Sequence, residues 1–190
     1  MQIIKDITTQ REFYDFLGAN HATMSELFIV VKRGDPRVAS GVLPYLDAVE
    51  VALCFGWIDA AVKNIGGALV QRFCPRKGAA VTQLNIYRAR RLEMLGMMSG
   101  FGRAVLPDLS APYEPPEYLL DELKAEPAAL EFFLSCPRIY QDIRLYNVDF
   151  YRRKNPAAHR AALENLIKNC KLKKMYGQWD DYGRLAVFCS

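Results

Sequence analysis

The sequence predicts an α+β protein, with a short sheet flanked by helices in a small N-terminal portion and a helical C-terminal portion. Two segments, 26–32 and 68–74, have the apolar character of strands, whereas the patterns of the C-terminal half are helical throughout. Four prolines between Pro107 and Pro116 separate the two kinds of pattern. We therefore predict an α+β domain over 1–108, a proline-rich connection over 109–116, and a helical domain with a packed tail over 117–190.

Each element of the N-terminal portion has its own signal. Thr9 followed by Glu12 is the capping-box pattern that starts a helix. Residues 26–32 are apolar and rich in β-branched side chains, which favours a buried strand. Gly66-Gly67 predicts a turn into the strand over 68–74, where side chains alternate. The helices predicted for this portion span 9–17, 44–56, 82–95 and 99–106.

The C-terminal portion is predicted to consist of helices and an ordered tail. Pro127, Pro137 and Pro156 each stand at a helix start, a position that the fixed φ of proline favours. The tail from Tyr176 onwards is rich in aromatic residues, and we expect it to be packed. The predicted helices span 117–125, 128–134, 138–153 and 157–171.

The charge distribution does not indicate a single binding surface. The net charge is +4, and it is arranged in alternating blocks. The segment 72–103 contains seven basic residues and one acid. The segment 113–149 contains eight acids and three bases, and the segment 150–175 contains eight bases and one acid. Most of this charge is expected to be solvated or paired between neighbouring blocks, so nucleic acid is not the expected partner.

Cysteine and histidine usage gives no metal or cofactor motif. The five cysteines are far apart, and the two histidines, His21 and His159, lie near none of them. We expect free thiols, no bound metal and no cofactor. No signal peptide and no apolar run of about 20 residues is visible, so we expect a cytoplasmic protein without a membrane partner.

One cluster of residues could form a ligand site. Trp57 and Asp59 follow the predicted helix 44–56, and Arg72 and Arg76 end the predicted strand 68–74. Arginines at such a position could clamp an anion, and Asp59 could orient them or act as a base. The alternative is that Asp59 forms a scaffold salt bridge with Arg72 or Arg76. The predicted ligand-binding set is completed by two residues, Lys63 and Asn85.

Cys54 is the one cysteine that could be considered as a nucleophile. Glu50 precedes it by one helical turn, and a neighbouring carboxylate raises the pKa of a thiol. We therefore expect a structural role for Cys54, and no catalytic residue is predicted.

At this cluster the sequence resembles the YdeI/OmpD-associated family, also known as bacteriocin-protection proteins. The resemblance rests on residues 26–30, 52–59, 71–73 with 75–76, and the helix after Asn85, and on residues 174–185 as the signature of a subgroup. It implies a role in protection against antimicrobial peptides or in envelope stress, and no established reaction or cofactor.

Three functions remain open from the sequence. The first is binding of a small anionic ligand by Lys63, Arg72 and Arg76. The second is an enzyme of unknown reaction that uses Asp59 as a base in the same cleft. The third is weak binding of nucleic acid or an acidic partner through basic helices, at 88–91 and 152–174.

Overall fold

The computed structural model describes residues 3–78 and 80–189, and its fold is the predicted α+β class. The chain divides into two compact units. The first comprises residues 1–81 with 88–109, and the second comprises residues 82–87 with 110–190. Residues 82–87, which we expected in the N-terminal domain, belong to the second unit. That each part folds as an independent domain stays a prediction.

The first unit contains a mixed four-stranded sheet with the strand order β1-β2-β4-β3. Strand β2 pairs in parallel with β1 and antiparallel with β4, and β4 pairs antiparallel with β3. The strands are β1 (Ile3–Ile4), β2 (Leu27–Val30), β3 (Trp57–Ile65) and β4 (Ala68–Pro75). The predicted strands 26–32 and 68–74 are confirmed as β2 and β4.

Strand β3 was not predicted, and its irregular pairing explains why. The register with β4 shifts between Asp59 and Val62, which marks a β-bulge. Positions on the face of Phe73 have odd residue numbers before the bulge and even numbers after it, so the alternation that identifies a strand is lost. The predicted turn is confirmed, because Gly66 and Gly67 join β3 to β4 with φ angles of +58° and +82°. A two-residue hairpin turn with positive φ at both positions favours glycine.

The helices of the N-terminal region follow their predicted positions. The Thr9–Glu12 capping box is present, and Ser99 caps the short helix by accepting a hydrogen bond from the Gly102 amide. The helices are α1 (Gln10–Asn20), α2 (Tyr45–Cys54), α3 (Gln83–Met94) and α4 (Gly100–Ala104). Every residue of α2 from Leu46 to Cys54 is buried, so this helix lies inside the first unit and contributes six of the eighteen buried residues that the structure describes in its core.

The second unit is helical, as predicted. Its bundle consists of α5 (Glu117–Lys124), α6 (Pro127–Ser135), α7 (Arg138–Asp149) and α8 (Pro156–Lys171), followed by a short 3₁₀ helix at Ala186–Phe188. The packed tail is also confirmed, since Tyr176 and Trp179 pack against the core and Leu185 is fully buried. Among the described residues, no helix is long and apolar enough to cross a membrane.

Candidate functional site

Asp59 and Arg72, which we expected to form one cleft or one ion pair, lie on opposite faces of the sheet. Asp59 is opposite Phe73 in the β3–β4 register, so it shares the face that carries Phe73 into the core. Arg72 precedes Phe73 and points to the other face, because side-chain direction alternates along a strand. Arg72 instead pairs with Glu26, whose Oε2 lies 2.7 Å from Nε of Arg72.

Arg72 and Arg76 were expected to face a common ligand, but their surroundings differ. The Arg72 side chain is 35% exposed, and the hydrogen bond to Glu26 raises the pKa of the guanidinium. Arg76 lies beyond the end of β4 and is buried; its Nη1 donates to the Ala80 carbonyl at 3.2 Å. The two arginines therefore do not act as two arms of one anion clamp.

The other predicted site residues, Trp57, Lys63 and Asn85, lie in three different environments. Trp57 is buried in the core of the first unit. Lys63 is exposed and lies opposite Val70, so it shares the face of Arg72 rather than that of Asp59. Asn85 belongs to the second unit, and its backbone amide donates to Oγ1 of Thr82 at 3.2 Å. Within the first unit, the sheet thus separates Asp59 from Arg72 and Lys63.

The partner of Asp59 is a tyrosine. The hydroxyl of Tyr45 donates a hydrogen bond of 2.6 Å to Oδ2 of Asp59. Burial, reinforced by this bond to a carboxylate, raises the pKa of Tyr45 to about 12, so the phenol stays protonated and keeps donating. The guanidinium of Arg33 lies 4.1 Å from the centroid of the Tyr45 ring. Asp59 is therefore held at the amino end of α2, where it anchors the helix to β3.

The environment of Cys54 favours a structural role for its thiol rather than a role as a nucleophile. Burial raises the pKa of Cys54 to about 12, and the neighbouring carboxylate of Glu50 contributes to the increase, as expected. All five cysteines have free thiols. Within residues 3–78 and 80–189, no group of three or more histidine, cysteine, aspartate and glutamate side chains could hold a metal ion.

A different site, which the sequence analysis missed, lies in the second unit. A cavity of about 450 Å³ is bordered by α7, α8, the first residues of the tail and Thr82. Its lining includes Arg144, four aromatic residues (Tyr146, Phe150, Tyr151 and Tyr176) and the amides of Asn147 and Asn165. Three further cavities, of about 270, 360 and 370 Å³, have charged side chains at their walls that are exposed to solvent. The cavity around Arg144 differs because its charged group is buried.

Arg144 is held by aromatic rings and a glycine rather than by an acid. The residue is 8% exposed, and its Cζ lies 5.6 Å from the ring centroid of Tyr140 and 5.0 Å from that of Tyr176. Gly177 has a φ of +73°, and a Cβ at this position would lie 2.7 Å from Nη1 of Arg144. Across the described residues, no carboxylate pairs with Arg144, and its buried Nε has no hydrogen-bond partner.

The nearest acid on the same helix is engaged elsewhere. Asp142 lies two residues before Arg144 and so points to a different side of α7. Its Oδ2 accepts a hydrogen bond of 2.8 Å from the Tyr87 hydroxyl, and its Oδ1 lies 2.6 Å from Nε of Arg138. These partners explain how a buried carboxylate and a buried guanidinium occur on one helix without pairing.

Tyr176 completes the polar wall of the cavity. Burial raises the pKa of Tyr176 above its ordinary value, and the nearby positive charge of Arg144 offsets only part of this increase. The phenol therefore stays protonated at neutral pH, and its hydroxyl can act as a donor.

The sequence contained two signals for this site. Tyr140, Arg144 and Val148 are spaced by four residues and share one face of α7. A charged residue between two apolar ones on such a stripe indicates a buried charge. The second signal is the aromatic tail around Tyr176 and Gly177, for which the sequence predicts packing but no binding role. The two segments are about thirty residues apart in the chain, so no local spacing connected them.

These features define an α+β protein whose helical unit contains a cavity with one buried arginine. The chain belongs to the DUF8412 family, a domain of unknown function, whose profile matches residues 5–105. The matched residues include all six that we predicted for a site, whereas Arg144, Tyr176 and Gly177 lie outside them. No curated protein and no solved structure matches the chain.

This family assignment corrects the expectation drawn from the sequence. The motifs at 26–30, 52–59 and 71–76 resembled the YdeI/OmpD-associated family, but the family that matches is DUF8412. The role in bacteriocin protection implied by the resemblance therefore has no support. The short motifs are explained by the fold, because apolar strand and helix segments of this kind form the core of the first unit.

Proposed function

We propose that the protein binds a small anionic molecule in the cavity around Arg144. One observation carries the proposal, namely a guanidinium that is buried, lacks a carboxylate partner and lines a cavity of about 450 Å³. An unpaired buried charge costs several kcal/mol, which a bound anion would offset. Cavities of about 300–1,000 Å³ with a few polar groups are typical of small-molecule sites.

The other polar groups at the cavity are also suited to an anion. Asn147 and Asn165 have amide donors, and the hydroxyl of Tyr176 keeps its proton. Thr82 lies at the start of α3 and caps it through the bond from the Asn85 amide. The amino end of a helix carries partial positive charge, so its position at the wall favours the same ligand charge.

The alternative functions have less support. An enzyme would require a base, and Asp59 already accepts the hydrogen bond from Tyr45. For nucleic-acid binding, exposed arginines and aromatic rings would need to be available. Arg152 instead stacks on Tyr118 at 3.8 Å, and the ammonium of Lys154 lies 5.0 Å from the Phe150 centroid. Small-anion binding is therefore the function that the geometry favours.

The proposal is tested by measuring thermal stabilisation and calorimetric affinity with acetate, benzoate, phosphate and phenyl phosphate. At least one of these anions should bind the wild type, and Arg144→Met should weaken binding at least tenfold, as expected for loss of a charge-assisted hydrogen bond. Arg72→Met is the matched control, since it removes the same charge from a residue paired with Glu26 and should leave affinity unchanged.

Two results would contradict the proposal. One is an absence of binding by every anion of the panel to the folded wild type. The other is binding that Arg144→Met leaves unchanged, because the anion would then occupy another part of the protein. A salt-dependent interaction with single-stranded nucleic acid that survives Arg144→Met would favour the basic helices instead.

A further inference from the structure

We infer that the anion is an aromatic monocarboxylate, and this inference rests on the proposed function. Three features of the cavity carry it, namely its charge, the edge of Arg144 that lacks a partner, and its aromatic wall. Each feature restricts the ligand in a different way.

The charge of the lining matches a monoanion. Arg144 is the only residue with an ionised side chain at neutral pH among the described residues that line the cavity. A single carboxylate neutralises one guanidinium, whereas a phosphate monoester carries close to two negative charges at neutral pH. The second charge would be buried without a partner, which opposes binding. The lining therefore favours a carboxylate over a phosphate.

The geometry of Arg144 also suits a carboxylate. Among the guanidinium nitrogens, Nη1 lies nearest to the Cβ position of Gly177, while Nε has no partner. Nε–H and one Nη–H form an edge of the guanidinium that binds the two oxygens of a carboxylate side by side. The rings of Tyr140 and Tyr176 hold the guanidinium in place, so little side-chain entropy is lost when such a pair forms.

The remaining wall is aromatic and partly open to solvent. Phe150 is 45% exposed and Tyr151 is 42% exposed, and their rings meet edge to face with centroids 5.3 Å apart. Tyr146 packs against Phe150 at 6.3 Å. Exposed aromatic rings at the mouth of a cavity favour a ligand that covers them with its own ring. An aliphatic acid as small as acetate would leave these rings in contact with water.

The test compares four probes by isothermal titration at pH 7.5, namely 2-naphthoate, phenyl phosphate, acetate and neutral benzamide. We expect 2-naphthoate to bind at least tenfold more tightly than each of the others, and Arg144→Met to abolish this preference. Tyr151→Ala should weaken 2-naphthoate roughly threefold to tenfold, the usual contribution of an aromatic pair. Phe101→Ala is the matched control, because Phe101 is an aromatic of the first unit that is 59% exposed.

The outcomes separate this inference from the proposed function. If phenyl phosphate binds most tightly and Arg144→Met abolishes its binding, the ligand is not a carboxylate, but the proposal of anion binding stands. If acetate and 2-naphthoate bind with equal affinity, or if Tyr151→Ala leaves the affinity for 2-naphthoate unchanged, the inference that the ligand carries an aromatic ring is wrong. If no probe binds in a manner that depends on Arg144, both the inference and the proposed function fail.

Discussion

Two arginines of this protein differ in whether an acid pairs with them: Arg91, which is partly exposed, has one, and the buried Arg144 has none among the described residues. In the first unit, Nη1 of Arg91 lies 2.9 Å from Oε1 of Glu50, whose side chain is fully buried and also accepts a hydrogen bond from Gln10. In the second unit, Arg144 is buried between the rings of Tyr140 and Tyr176 without a carboxylate partner.

The presence or absence of an acid separates an arginine that only stabilises the fold from one whose charge is available to a ligand. The Glu50–Arg91 pair neutralises itself inside the first unit, so it stabilises only the fold. Arg144 leaves one positive charge at the wall of a cavity with no carboxylate partner among the described residues, and this is the charge that we propose a ligand neutralises. A buried arginine is therefore a better indicator of a binding site when its acid is missing than when it is present.

The largest effect is expected from breaking the framework pair. Arg91→Met removes the guanidinium that pairs with the fully buried Glu50 carboxylate and should reduce the free energy of unfolding by about 3–5 kcal/mol. Urea denaturation measures this loss. The double variant Glu50→Leu, Arg91→Met removes both charges and should recover much of it. A loss below about 1 kcal/mol in Arg91→Met would place this pair among weak surface ion pairs.

The second effect concerns the glycine that contacts Arg144. Gly177→Ala should cost about 1–3 kcal/mol for the positive φ alone, and more because its Cβ would approach Nη1 of Arg144. Gly183→Ala is the control, since Gly183 has a φ of +88° and no atom within 4 Å of the Cβ position. Equal losses in the two variants by urea denaturation would show that the guanidinium is not held against Gly177.

A smaller effect is expected from removing the unpaired charge. Arg144→Met keeps the apolar stem and removes a buried cation that has no acid. The desolvation cost that is relieved and the contacts with the rings of Tyr140 and Tyr176 that are lost oppose each other, so the free energy of unfolding without ligand should change by less than about 1 kcal/mol. The measurement is urea denaturation in a buffer without carboxylates or phosphate. A loss as large as that of Arg91→Met would mean that Arg144 belongs to the framework.

The smallest effect is expected at the surface pair of the sheet. Arg72→Ala removes a half-exposed guanidinium whose partner Glu26 is also exposed, so solvent screens both charges. Its unfolding curve should overlay that of the wild type within experimental error. A clear destabilisation would revive the interpretation of Arg72 as part of the scaffold.

Much of the fold could be predicted from local patterns, because its signals lie within one element. The capping box at Thr9, the turn at Gly66-Gly67 and the cap at Ser99 each depend on a few neighbouring residues. Strand β3 could not be predicted because its bulge breaks the alternation of side chains, and β1 could not be predicted because two residues are too few to form a pattern. The family could not be identified from short apolar motifs, since unrelated cores contain similar ones.

The candidate site was less predictable. The sequence predicts one cleft for Asp59 and Arg72 because Asp59 follows the end of a helix and Arg72 stands near the end of a strand, but the register places them on opposite faces. Which residues face each other across a hairpin depends on the bulge, and the sequence shows no bulge directly. Arg144 was passed over because an arginine in a helix is ordinarily solvated.

The sequence by itself determined the α+β class, most helix and strand positions and the packing of the tail, because periodicity, caps and turns are local properties. Only the tertiary structure decided which charged side chains form ion pairs. Glu50 and Arg91 are 41 residues apart, and Tyr176 lies about thirty residues after Arg144. Such pairings depend on how helices are brought together, and the burial that makes an unpaired charge costly exists only once they have packed.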